Sequence, residues 1–279
     1  MPAAPEPAEQ TGCSGEEPDS ATVERVLGAG RLQVQGRLVS ASNATFLALA
    51  ELDGLTLECV YKPVRGERPL WDFPDGTLAG REVATYEVAR LLGWEVLPPT
   101  VLGNGPFGPG MVQLWIEEDP DQALVDLVRP DDVPRGWLRV LDALDSRDRP
   151  VSLVHADDPR LRRLAVFDAV VNNADRKGGH VLVNSTGKVR GCDHGVTFSV
   201  EDKLRTVLWG WAGEPLPDDD LEELRSLAVR LAGDDARVLE PLITAEERSR
   251  LRWRVERLLR RGRHPRPTAH WHAIPWPAF

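Results

Sequence analysis

From Arg31 the chain alternates apolar and polar residues in RLQVQGRLV, and after SASNAT it does so again in FLALAEL and, past Asp53-Gly54, in LTLECVYKP. A period of two predicts strands with unlike faces, and an Asp-Gly pair between two such runs predicts a tight hairpin. An antiparallel meander of three strands is therefore expected. After a loop containing Gly66, Pro69, Pro74 and Gly76 the period changes. In GREVATYEVARLLG the residues Val83, Tyr86, Ala89, Arg90 and Leu91 recur at helical spacing up to a stop at Gly93. VLPPTVL and MVQLWIE, separated by the turn-rich GNGPFGPG, read as two further strands. The chain up to residue 117 thus predicts a small sheet with one helix.

The remainder reads as mainly helical. QALVDLV (122–128), WLRVLDALDS (137–146) and DPRLRRLAVFDAVVNN (158–173) are expected helices, the last with Leu161, Leu164, Ala165, Phe167, Asp168 and Val171 on overlapping faces. HVLVN, STGK and VRGCDHGVTF predict a short hairpin, and helices resume over 218–232 and 244–261 before the tail HPRPTAHWHAIPWPAF. Residues 1–20, rich in Pro, Ala, Glu and Ser without apolar period, predict a disordered tail, with a first lobe over 21–117 and a second over 118–279. No internal repeat is visible.

Composition narrows the function classes. A chain of 279 residues can bury a core large enough for two lobes and a cleft between them. A net charge of -10 disfavours a nucleic-acid backbone as principal partner, because phosphate binding along a duplex needs a basic surface. It does not disfavour a nucleotide, whose site recruits a few local lysines and a metal ion. No apolar run approaches the roughly eighteen residues of a membrane span, and the opening MPAAPEPAEQTGCSGEEPDS has no basic and apolar leader, so no integral membrane association and a cytoplasmic protein are expected. Cys13, Cys59 and Cys192 have neither disulfide-framework nor zinc spacing.

Four residues carry candidate chemistry. Lys62 ends a predicted strand, Glu82 lies on the following helix, Asp175 sits in the helix-to-strand loop NNADRKGGH, and Asp193 follows the next strand in GCDHG. Each alone has an ordinary explanation as a solvated surface or turn residue. In this order they follow the logic of phosphoryl transfer: a lysine held by a helix glutamate, a loop carboxylate near the accepting hydroxyl, and an aspartate for the metal.

CVYKP followed by GREVATYEVARLLGWEVLPPTVL, VQLWIEE, VVNNADRKGGHVLV and GCDHGVTF resembles the core of the phosphatidylinositol 3-/4-kinase family, in particular type II phosphatidylinositol 4-kinases and their bacterial relatives, over roughly residues 36 to 200. The resemblance implies an α+β, bilobal protein-kinase-like fold that binds ATP with Mg²⁺ or Mn²⁺. It implies that Lys62 contacts the phosphates and that Glu82 pairs with it. Gln113, Leu114, Trp115 and Ile116 become the adenine edge, Asp175 with Arg176 behind it the catalytic pair, and Asp193 a metal ligand. Ser40, Ser42 and Asn43 of SASNAT occupy the place of the phosphate-covering loop. Where the family has a metal-ligating Asn, this chain has His180, which reads as a ligand of an unusual metal site, a phosphate-contacting donor, or a sign of weakened transfer.

His194 beside Asp193 is left without a role. In the tail, His264, His270 and His272 fit no metal spacing, while Trp271 and Trp276 read as packing anchors. The arginine-rich helix EERSRLRWRVERLLRRGR carries an ordinary core stripe of Leu251, Val255, Leu258 and Leu259 beneath a solvated basic face. The expected activity is transfer of the ATP γ-phosphate to a hydroxyl of a protein, a small molecule or an inositol lipid. A nucleotide-binding pseudokinase and an AMP-transferring enzyme on the same fold stand as alternatives.

Overall fold

The computed structural model describes residues 18–38, 43–268 and 271–279. Residues 1–17 of the expected tail, Ser40 and Ser42 of the expected phosphate-covering loop, and His270 lie outside the described residues.

The first lobe opens with a helix that the sequence reading missed. Helix α1 (Ser20–Ala29) is capped by Asp19, whose carboxylate accepts from the N–H of Thr22 at 2.8 Å, and it buries Val23, Val26 and Leu27. Three large apolar residues in ten are too few for the helical period to stand out against the alternation that follows. Strands β1 (Arg31–Arg37), β2 (Phe46–Leu52), β3 (Leu55–Pro63), β4 (Thr100–Gly105) and β5 (Gly108–Leu114) form one antiparallel sheet in the order β1-β2-β3-β5-β4. At the β2–β3 turn Asp53 (φ 51°) and Gly54 (φ 82°) both take positive φ, as a two-residue hairpin loop requires. The expected loop GNGPFGPG is mostly strand, since β4 and β5 pair as far as Gly105 and Gly108.

Helix α2 (Leu78–Leu92) starts at the Thr77 cap and stops at Gly93, which takes φ 73°. Eleven of its fifteen residues are buried, because one side meets the sheet and the other packs into the larger core with Leu242 and the later helices. That double burial explains why its buried surface is broad and includes Arg81 and Glu82.

The second lobe contains a sheet where helices were expected. QALVDLV and WLRVLDALDS are strands β6 (Val125–Val128) and β7 (Trp137–Leu144), joined through β8 (Pro150–Ala156) in the antiparallel order β6-β8-β7. The misreading has a physical cause. The register of β7 shifts between Arg139 and Leu141, so its half-buried residues Trp137, Leu138, Val140 and Leu141 are interrupted at every third position, which imitates a helix.

The other helices stand where the period puts them. Helix α3 (Pro159–Val171) has Asp158 as its cap and ends at Asn172 in the left-handed region; α4 spans Asp218–Ala232 and α5 spans Ala245–Arg261. A capping box between Thr244 and Glu247 opens α5, and Gly262 closes it at φ 59°. Its basic face is partly occupied: Arg250 and Arg257 flank the Trp253 ring at 4.1 and 4.4 Å, and both pair with Asp202. Between α3 and α4 lies the short hairpin of β9 (Val181–Val183) and β10 (Val189–Gly191). Trp271 packs at the rim on Lys203, but Trp276 is 82% exposed and anchors nothing, contrary to expectation. No helix among the described residues is long and apolar enough to cross a membrane.

His264 is buried as a neutral ring, accepting from Arg162 Nε at 3.2 Å and lying 6.2 Å from the Trp211 ring. Burial, reinforced by the Arg162 guanidinium, pulls its pKa down to about 4. Since the unfolded chain binds this proton near pH 6.5, the stability it supports is complete above that pH and is lost as pH falls toward 4. Urea unfolding is expected to show the native protein losing about 2 kcal/mol more between pH 7 and pH 5 than His264→Gln. Equal losses would contradict this reading of the buried ring.

Candidate active site

A cleft of about 810 Å³ lies between the five-stranded sheet and the helical lobe. Strand alternation decides what faces it. Cys59 and Tyr61 of β3 point to the small core with α1, so Val60 and Lys62 point to the cleft. Lys62 Nζ lies 2.6 Å from Glu82 Oε1 of α2 and 2.7 Å from Asp193 Oδ1, beyond β10. Burial alone would lower the Lys62 pKa, but the Asp193 and Glu82 carboxylates outweigh it and raise the value, so the ammonium stays charged. The Lys62 ammonium holds Asp193 well below the usual carboxylate range. Glu82 is fully committed: its second oxygen accepts the backbone N–H of His194 at 2.9 Å.

The loop after α3 carries Asp175, and its shape is set from beneath. Asn172 turns the chain at φ 56° and donates to the carbonyls of Ser199 and Glu201. Asn173 bridges Asp168 Oδ1 and the N–H of Asp175, each at 3.0 Å. Arg176, expected behind the catalytic aspartate, has no exposed surface and does not line the cleft. Its five N–H groups are all used: two on Asp168, one on the carbonyl of His180, one on the carbonyl of Cys192, and one toward His194 Nε2. Its expected catalytic assignment is therefore corrected to a brace between the loop of Asp175 and the loop of Asp193. His194, left without a role on sequence, is the acceptor of that brace, and burial with the adjoining Arg176 charge pushes its pKa well down.

Asp175 lines the cleft with its carboxyl raised by burial, opposed by Lys177 at 3.2 Å and by His180. His180 turns Nδ1 to the Asp175 carbonyl at 3.0 Å and Nε2 to Asp193 Oδ2 at 3.4 Å. With Nδ1 donating, a neutral ring directs the Nε2 lone pair at a carboxylate oxygen, and two acceptors in that relation call for a cation between them. The donor set thus fits a divalent ion. Among the described residues no three His, Cys, Asp or Glu side chains converge as a metal cage. An ion that takes one or two protein ligands and completes its shell with phosphate oxygens and water needs no such cage.

Gln113, Leu114, Trp115 and Ile116 all line the cleft. The N–H groups of Leu114 and Trp115 are spent on Pro99 and Glu58, and the Gln113 amide donates to Thr100 Oγ1. The next backbone N–H along this edge is that of Ile116. Asn43 also lines the cleft, its side chain accepting the N–H of Arg68 at 3.0 Å.

Several cleft residues escaped the sequence reading. Glu67 accepts the first N–H groups of α2 from Leu78 and Ala79, although eleven residues separate it from the helix start. Lys203 pairs with Asp72 among the rings of Trp71, Phe73 and Trp271. Arg205 exchanges backbone bonds with Asn173 and Arg176 on either side of Asp175. None of these carries a local signal, because each partner lies far away in sequence.

No protein-family model matches the chain. It is 52% identical over 264 residues to protein Rv2133c of Mycobacterium tuberculosis (strain ATCC 25618 / H37Rv), covering 91% of this chain and 94% of that one. Among solved structures, hydra Fam20 with sugar superposes with a TM-score of 0.54 at 14% identity, covering 86% of this chain and 87% of the other. The Golgi casein kinase superposes at 0.51 and 14% identity, covering 87% and 74%. Its form with Mn/ADP bound also gives 0.51 and 14%, covering 87% and 75%. The fold is accordingly α+β, bilobal and kinase-like.

Replacing Arg176 by Met would leave Asp168 buried without a counter-charge. Denaturant unfolding is expected to show a loss of about 3–5 kcal/mol. Arg176→Lys should recover only part of it, since an ammonium cannot span the same four partners. A loss below about 1 kcal/mol in Arg176→Met would contradict the brace.

Proposed function

The chain belongs to the same family as protein Rv2133c, and we propose that it is an ATP-dependent phosphotransferase with a hydroxyl acceptor. The observation that carries this reading is the meeting of Lys62, Glu82 and Asp193, from three separate elements, in the cleft that Asp175 also lines. That a protein of this fold holds Mn and ADP supports the same use of the cleft here. The motif order from CVYKP to GCDHGVTF supports the narrower placement beside the phosphatidylinositol 3-/4-kinases, with the lobe boundary near residue 117. We place the protein in the cytoplasm, with a protein or small soluble molecule favoured as acceptor over an inositol lipid.

The roles follow from position. Adenine lies along Gln113–Ile116, with Ile116 offering the next backbone N–H. Lys62 exchanges its Asp193 contact for phosphate oxygens while Glu82 keeps it in place, a positioning that costs no reorganisation during transfer. Asp193 and His180 would hold a divalent ion, which when bound would supply charge neutralisation on the phosphates. Asp175 orients the accepting hydroxyl and takes its proton as the oxygen bonds to the γ-phosphorus and the bond to the bridging oxygen breaks, releasing ADP. His180, standing where the resembled family has a metal-ligating Asn, favours one second reading, a nucleotide-binding regulatory module with little turnover.

Incubation with Mn²⁺ or Mg²⁺ and ATP labelled separately at the γ or α phosphate separates the readings. Label from γ is expected; label from α means AMP transfer, and stabilisation by ATP with neither means a binding module. Asp175→Asn is expected to lower γ-transfer by about 10²- to 10⁴-fold while ATP still stabilises the protein. Lys62→Met should weaken ATP binding about 10- to 100-fold, the loss of one charged hydrogen bond. A protein that ATP does not stabilise at all would sink the proposal.

A further inference from the structure

The segment 271–279 is laced to the loop that carries Asp175. Trp271 stacks over Lys203 Nζ at 4.1 Å, with the Trp71 ring 6.4 Å away. The carbonyl of Ala273 accepts the N–H of Thr206 at 3.0 Å and Trp209 Nε1 at 2.8 Å, and Ile274 packs on the main core. The segment then reaches Gly178, between Asp175 and His180, whose N–H donates to the carbonyl of Ala278 at 2.8 Å. The Phe279 ring lies flush on the Gly178 backbone. A methyl group at that position would stand 2.5 Å from Cζ and 2.7 Å from Cδ1 of the ring.

Gly178 does not take positive φ, so its backbone would admit a side chain. What excludes one is the ring. Two successive glycines, Gly178 and Gly179, make the loop costly to order, and Asp175 and His180 flank them. The ring and the Ala278 carbonyl supply contacts that offset this cost from outside the loop. Phe279 is 46% exposed, so the fold itself depends on it little.

Resting on the phosphotransfer reading, we propose that Ala278 and Phe279 are positioning residues for transfer: they clamp Gly178 and thereby fix Asp175 for the reaction. The clamp acts on turnover and leaves nucleotide binding to Lys62 and the sheet.

The test uses the full chain in five forms: native, Phe279→Ala, Phe279→Leu, Gly178→Ala, and the double variant Gly178→Ala/Phe279→Ala. Two quantities are read, γ-phosphate turnover against ATP affinity, and hydrogen exchange of the peptide 174–181. Phe279→Ala and Gly178→Ala are each expected to lower kcat by about 10- to 100-fold, the effect of a slight misplacement. ATP affinity should stay within about twofold and exchange of 174–181 should quicken. Phe279→Leu should recover most of the turnover. The double variant should be no worse than either single one, because removing the ring makes room for the methyl group. Unchanged turnover and exchange in Phe279→Ala overturns the proposal, and so do losses that add in the double variant. Should the native protein transfer no phosphate, the phosphotransfer reading falls, and exchange still decides whether the clamp exists: no change in Phe279→Ala overturns it.

Discussion

A guanidinium with no access to water holds the candidate site together. Arg176 reaches Asp168 in α3, the carbonyl of His180 in one loop and the carbonyl of Cys192 in another, so neither loop can shift without leaving a buried N–H unpaired. A lost partner there costs more than the bond itself gains, which gives the arrangement its rigidity. The consequence lies above it. Asp175 and Asp193 are far apart in the chain, yet they line one cleft because their loops share this anchor.

Upon that anchor rests a second, looser set of charges. Lys62 is a fifth exposed, and Asp193 is half exposed in the left-handed region at φ 58°. Glu82 is buried and bound at both oxygens, so it is the fixed member, and Asp193 is the one that can exchange partners. A site that must accept and release an anionic ligand benefits from that division: the lysine remains aimed while its exposed counter-ion is replaceable. The fold shared with Fam20 and the Golgi casein kinase supplies the frame for this, at only 14% identity.

What was legible in the sequence is what local rules determine. The Asp53-Gly54 turn, the stop of α2 at Gly93 and the spans of α4 and α5 each have their cause within a few residues. Lys62, Glu82, Asp175 and Asp193 lie far apart in the chain, yet they line one cleft, and their order along the sequence was the pattern that drew them together. Strand β7 was misread because a register shift gave it a period of three, and α1 was missed because ten residues hold too few turns. Arg176 was placed at the right loop and given the wrong task, since burial is a property of the whole fold. The Glu67 cap, the Lys203 cage and the contact of Phe279 with Gly178 join distant parts of the chain, and no window of sequence contains both partners.

The central claim is that Lys62 and Asp193 surround a nucleotide triphosphate and its metal. Crystals grown with Mn²⁺ and a non-hydrolysable ATP analogue test it most directly, through the anomalous signal of the ion. The account predicts a manganese peak beside the Asp193 carboxylate and His180 Nε2, with phosphate oxygens on Lys62 Nζ and adenine along residues 113–116. Nucleotide bound outside the cleft, or a manganese peak remote from Asp193, would contradict it.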